Sequence, residues 1–152
     1  MSTTPSGVGG TESMALSTLI DSSVLVAAAN ARETHHLEAA HAISSLAGER
    51  AIIPITILTE TLGFVRTRYG LDHHRRLWAG LQATSFEIFP ADTSLLEEAR
   101  RIDERYSDIG YGFTDCTLLA SCEVLRTARV LSFDRRLAAY RPSFASVLEV
   151  MP

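Results

Sequence analysis

The chain has no lysine. All 14 of its basic residues are arginine, set against 18 acids, for a formal net charge of −4. A protein that grips a duplex through its phosphates is usually basic, so bulk charge does not suggest DNA binding by this chain. GC-rich coding explains the arginine skew as well as phosphate recognition does. The longest apolar run is too short and too interrupted to span a bilayer, so no membrane association is expected. The N-terminus lacks the charged start and apolar stretch of a secretory signal. The two cysteines, Cys116 and Cys122, are not in a C-x-x-C pair and have no nearby histidine to complete a zinc set. They read as buried thiols of a cytoplasmic protein. There is no phosphate-binding glycine loop, no dinucleotide fingerprint and no nucleophile elbow.

What is present is enough for one domain: 152 residues, 46 per cent of them apolar. Residues 1–13 (MSTTPSGVGGTES) have little to bury and read as a disordered leader, with a single domain over 14–152. From there strand-like and helix-like segments alternate. Strands are expected at 15–20, 51–53, 86–89 and 130–133, with a last edge strand at 146–150. Helices are expected over 35–46 with Gly48 as a stop, over 55–69 with Thr56 as its cap, and from Asp72 to about 84. A further helix opens at a Ser94/Glu97 capping box, another runs over 113–126, and a short turn of helix reaches Tyr140. Such alternation predicts an α/β fold with a short, mainly parallel sheet of four to five strands covered by helices on both faces. In these folds ligands bind at the carboxyl ends of the strands, near the point where strand order reverses.

Four acids stand out against that rule. Asp21 follows Leu19-Ile20, and Asp134 follows Val130-Leu131-Ser132-Phe133, so both belong at strand ends. Asp115 opens the apolar helix after a Gly-Tyr-Gly-Phe-Thr loop, and Glu60 lies in the early turns of the helix after the second strand. Singly, Asp21 and Asp134 also read as caps of the turns that follow them, Asp115 as a first-turn acid favoured by the helix dipole, and Glu60 as a solvated surface group. Together they come from four separate elements and fit one edge. Two carboxylates about 4 Å apart repel by roughly 4 kcal/mol at an effective dielectric near 20. A cluster of four needs protons or a cation to neutralise it. Mg²⁺ or Mn²⁺ suits all-oxygen sites, and the chemistry of such an ion is phosphodiester hydrolysis. His35, His36, His41, His73 and His74 lie on helices or helix ends and read as solvated or packing residues away from that edge.

The order of these motifs resembles the PIN domain, and within it the VapC-like toxins of toxin–antitoxin pairs. The likeness rests on L-I-D-S-S-V-L at 19–25, P-I-T-I-L-T-E at 54–60, F-T-D-C-T-L-L-A at 113–120 and L-S-F-D-R-R-L at 131–137. It implies a three-layer sandwich, an endoribonuclease dependent on Mg²⁺ or Mn²⁺, RNA as substrate, a homodimer, and an antitoxin that covers the active site. By the same resemblance Asp21, Glu60, Asp115 and Asp134 match the acidic catalytic set, with Asp21 and Asp115 as direct metal ligands. Ser23, Thr114 and Ser132 adjoin three of these acids and are expected to hydrogen-bond to them. Leu118 and Leu119 stand where some members carry a further acid. Arg66, Arg68, Arg135 and Arg136 are candidates for holding RNA phosphates. An acid-cluster phosphatase or phosphoacceptor domain is a competing reading, but the chain lacks the D-x-D start of the one and the lysine of the other. A PIN-like binding module without activity is the third.

Overall fold

The computed structural model describes residues 16–152; the expected leader lies outside the described residues. Five strands form one sheet: β1 (Ser17–Ile20), β2 (Arg50–Pro54), β3 (Glu87–Phe89), β4 (Arg129–Leu131) and β5 (Glu149–Met151). Their order is β3-β2-β1-β4-β5 and every neighbouring pair is parallel. The helices are α1 (Ser22–Ala29), α2 (His36–Ser44), α3 (Ile55–Tyr69), α4 (Leu71–Ala83), α5 (Thr93–Arg105) and α6 (Phe113–Leu125), with a 3-10 turn over Arg135–Ala139.

The first three strands step outward in one direction, and the chain then returns across the sheet to place β4 on the other side of β1. Right-handed crossovers therefore put α1 to α4 on one face and α5 and α6 on the other. Packing of α1 on α2 and α3, and of α5 on α6, follows that division. Leu19, Ile20, Ile52, Ile53, Leu118 and Leu119 are fully buried between the layers. The last two positions belong to the core, which leaves no room there for an additional site acid. The order reverses between β1 and β4, so the switch point lies where these two strands end.

Several boundaries differ from the sequence expectation, each for a local reason. Helix α1 carries no polar stripe, because Val24, Leu25 and Ala27 are buried on an eight-residue element, so periodicity does not mark it. Strand β4 ends at Leu131 rather than Phe133, because the Phe133 N–H turns to donate to Ser23 Oγ at 3.0 Å. Helix α5 is capped by Asp92, whose Oδ1 accepts the Leu95 N–H at 2.8 Å, and not by Ser94. Helix α3 starts directly after Pro54, and Thr56 instead meets Thr117 hydroxyl to hydroxyl at 2.7 Å, tying the opening of α3 to α6. Helices α3 and α4 are joined by Gly70 alone, whose φ of 93° favours glycine. Asp72 then falls in the first turn of α4 and does not cap it.

Candidate active site

Asp21 leaves β1 at the switch point. Its backbone N–H still donates to Leu131 O of β4 at 2.9 Å, and its carbonyl begins α1. The residue is only 4 % exposed, so its carboxylate needs partners. Ser132 Oγ donates to Asp21 Oδ2 at 2.6 Å and Ser23 Oγ donates to the same oxygen at 3.0 Å. Each hydroxyl has one proton and spends it on the carboxylate. Each then accepts a backbone N–H: Ser23 from Phe133, Ser132 from Asp134, both at 3.0 Å. The two serines therefore lock the exits of β1 and β4 together and fix the Asp21 carboxylate in the seam. Ser22 Oγ lies 3.5 Å from Oδ1, a long contact that leaves this oxygen the freer of the two.

Asp115 is the third residue of α6, and its Oδ2 accepts the Gly112 N–H at 3.1 Å. This is half of a capping box; glycine has no side chain to return the bond. Burial pushes the Asp115 carboxyl above its ordinary range, and the charges of Asp21 and Asp134 push it further. The Gly112 N–H and Arg136 pull the other way without prevailing. Asp134 is held below the usual carboxylate range, chiefly by hydrogen bonds from Arg136, against burial that acts in the opposite direction. Arg136 Nη2 is 2.7 Å from Asp134 Oδ2 and 3.5 Å from Asp115 Oδ2, so one guanidinium spans two acids.

Three of the four acids expected at this edge are thus within electrostatic reach of one another. Glu60 is exposed on α3 and makes no hydrogen bond or ion pair among the described residues. It lies one helical turn beyond Thr56, on the face that the Thr56–Thr117 bond turns toward α6. Thr114 is half-buried, and its carbonyl, not its hydroxyl, is engaged, accepting from Thr117 Oγ1 at 2.8 Å. Arg66 and Arg68 lie exposed in the last turn of α3. Arg135 is turned away from the acids, donating to the carbonyls of Val150 at 3.1 Å and Pro152 at 2.7 Å. It stitches the last strand to the turn after β4.

Two participants were not visible in the sequence. Tyr111, buried beneath the loop before α6, donates its hydroxyl to the Arg136 carbonyl at 2.8 Å. His35 stacks on Phe133 with ring centroids 4.7 Å apart, so this histidine borders the strand-end edge and does not lie away from it.

The family model for the PIN domain matches residues 18–141, a span that contains all four acids.

This chain belongs to the PIN domain family.

Among curated proteins, Ribonuclease VapC26 of Mycobacterium tuberculosis is 29 % identical over 135 residues, covering 88 % of this chain and 99 % of the relative. Among solved structures, Mycobacterium tuberculosis VapC20, described as a Sarcin-Ricin loop cleaving toxin, superposes with a TM-score of 0.76 at 21 % identity, covering 85 % of this chain and 98 % of that one. VapBC2 from Rickettsia felis, solved with a DNA fragment from its promoter, gives a TM-score of 0.63 at 12 % identity over 78 % of this chain and 88 % of that one. At such identities the structural likeness establishes the fold of this PIN domain. No helix among its described residues is long and apolar enough to cross a membrane.

The donor chemistry of the site fits a hard divalent cation. Its acids offer only oxygen, and a guanidinium already stands as the cation between two of them. Among the described residues no three His, Cys, Asp or Glu side chains converge into a ready cage. Mg²⁺ does not require one, because it commonly keeps several waters and takes only one or two carboxylates.

Proposed function

We propose that this PIN domain is a cytoplasmic endoribonuclease that depends on Mg²⁺ or Mn²⁺ and serves as the toxin of a toxin–antitoxin pair. The observation that carries the reading is the group of three carboxylates at the switch point, Asp21, Asp115 and Asp134, with the Asp115 carboxyl raised by burial and by the charges of the other two. The similarity to a named ribonuclease over nearly the whole chain supports RNA as the substrate.

In this reading Asp21 and Asp115 hold the ion directly, while Asp134 and Glu60 act on it directly or through water. The chemistry supplied by such an ion is Lewis acidity, which lowers the pKa of a water and neutralises charge on a phosphoryl oxygen. Ser23 and Ser132 hold the Asp21 carboxylate through Oδ2, which leaves Oδ1 the freer oxygen for a ligand. Asp115 is positioned by the Gly112 N–H at the start of α6. The helix N-terminus adds a favourable field for a phosphate approaching that end. Exposed Arg66 and Arg68 are available to hold the RNA backbone further along α3.

An antitoxin that covers the acids completes the proposal. Structural neighbours include a toxin–antitoxin complex from Klebsiella pneumoniae. Phe113, two residues before Asp115, is 65 % exposed and Leu96 is 42 % exposed, which leaves apolar surface beside the site for a partner to bury. A homodimer is the assembly expected of the toxin. Purified protein should cleave RNA in Mn²⁺ or Mg²⁺ and not in EDTA, and a co-expressed small partner should suppress that cleavage. Absence of cleavage with either ion, from a folded and harmlessly expressed chain, refutes the proposal.

A further inference from the structure

Arg136 does more at this site than pair with a neighbouring acid. Its Nε donates to both oxygens of Asp134, at 3.0 and 3.2 Å, and its Nη2 donates to Oδ2 at 2.7 Å. The same Nη2 approaches Asp115 Oδ2 at 3.5 Å. One fork therefore joins an acid on the exit from β4 to an acid at the start of α6. We propose that Arg136 is an internal counter-cation that a divalent ion must displace to bind these carboxylates. The inference rests on the metal-dependent reading above.

The seat of Arg136 is built from the backbone outward. Its N–H donates to Asp134 Oδ1 at 3.0 Å, and its carbonyl accepts the Tyr111 hydroxyl at 2.8 Å. Tyr111 is 5 % exposed and packs on Tyr106, which packs in turn on Tyr140. Tyr106 Oη accepts the Arg141 N–H at 3.1 Å. Two tyrosine hydroxyls thus pin both ends of the 3-10 turn, and the turn delivers Arg136 to the acids. The neighbouring Arg135 is committed to the carbonyls of Val150 and Pro152, so only one of the two adjacent arginines is delivered there.

The arrangement also permits exchange. The backbone of Arg136 is anchored while its side chain is half exposed, so the guanidinium can swing into water without disturbing the fold. A dipositive ion satisfies the same acids more strongly and repels a guanidinium beside it. Because arginine stays protonated at all ordinary pH, the competitor is permanent and cannot be titrated away. Asp115 and Asp134 therefore alternate between a weak internal cation and a strong external one. The built-in competitor lowers the affinity for the ion and offsets part of the repulsion among the metal-free acids.

The test is calorimetry with Mn²⁺ on the chelator-stripped full chain, paired with melting in EDTA and in excess Mn²⁺. Arg136→Gln should lower the Mn²⁺ Kd by about two- to fivefold, the range expected for losing a partly exposed ion pair. Arg136→Lys, which keeps the charge and loses the fork, should lower it by less and guards against misfolding of the glutamine variant. Arg100→Gln removes an equal charge on α5, where Arg100 pairs with Glu104, and should leave the Kd unchanged. Arg136→Gln should melt below wild type in EDTA yet not in saturating Mn²⁺; a merely structural arginine would lower both. If wild type binds Mn²⁺ and both Arg136 variants bind it equally or more weakly, the counter-cation inference is overturned and the metal reading stands. If no form binds Mn²⁺, both fall.

Discussion

Replacing Asp115 with asparagine should separate stability from activity. Asparagine keeps an oxygen for the Gly112 N–H, but a neutral acceptor is weaker than a carboxylate, a loss of about 1 kcal/mol. Losing the 3.5 Å contact with the half-exposed Arg136 costs at most about 1 kcal/mol after solvent screening. Against these stands relief from burial and from the neighbouring charges of Asp21 and Asp134, which together raise the Asp115 pKa. A carboxyl raised in the folded state binds its proton more tightly there than in the unfolded chain. Its contribution is therefore present below the ordinary value of 3.8 and is lost as pH rises through the folded value. At neutral pH the charge is a burden that asparagine removes. The opposing effects leave a net change within about 1 kcal/mol, or roughly 2–4 °C in Tm for a domain of this size. Cleavage should fall at least about 100-fold, which corresponds to roughly 2.7 kcal/mol of lost transition-state stabilisation. The assay is melting in EDTA beside single-turnover RNA cleavage in excess Mn²⁺. Cleavage by Asp115→Asn at the wild-type rate would refute the reasoning, whatever the melting curve showed.

Ser132→Ala should cost about 1–3 kcal/mol in urea unfolding, because it removes the 2.6 Å donor from a buried carboxylate, and should also weaken Mn²⁺ binding in calorimetry. Glu60→Gln should leave Tm within about 2 °C, since an exposed side chain is lost, and should reduce cleavage by less than Asp115→Asn; unchanged cleavage would remove Glu60 from the set. At the far end of α6, burial raises the Glu123 carboxyl, but hydrogen bonds from Ser143 and Tyr140 outweigh it and leave the group below its ordinary 4.5. Its contribution is present above that value and is lost as pH falls through the folded one, so Glu123→Gln should cost about 1–3 kcal/mol at pH 7. Urea midpoints of the two proteins should converge as the pH is lowered below 4.5.

The sequence showed the positions of these acids better than their partners. Asp21 and Asp134 were legible because short apolar runs ending in a polar residue mark strand exits, and strand exits at a switch point are where α/β folds bind ligands. Ser23 and Ser132 were legible from standing beside those acids in the chain; Thr114, expected on the same ground, engages its carbonyl instead. Helix α1 was not, since a short helix with no exposed residue has no periodic polar face. The cap of α5 fell on Asp92 where Ser94 was expected, because both residue types cap and only backbone geometry chooses between them. The seat of Arg136 depends on Asp115, Asp134 and Tyr111 meeting, and no local pattern encodes contacts between residues from separate elements. Nor does spacing reveal the His35–Phe133 stack, which forms only when the segment before α2 folds back onto the exit of β4.

Anomalous diffraction from crystals of the purified protein soaked in Mn²⁺ tests the central claim most directly. The account predicts a manganese peak within coordination distance of Asp21 and Asp115, with the Arg136 guanidinium moved off Asp115. A manganese ion bound elsewhere, or no peak at these acids at saturating Mn²⁺, would contradict it.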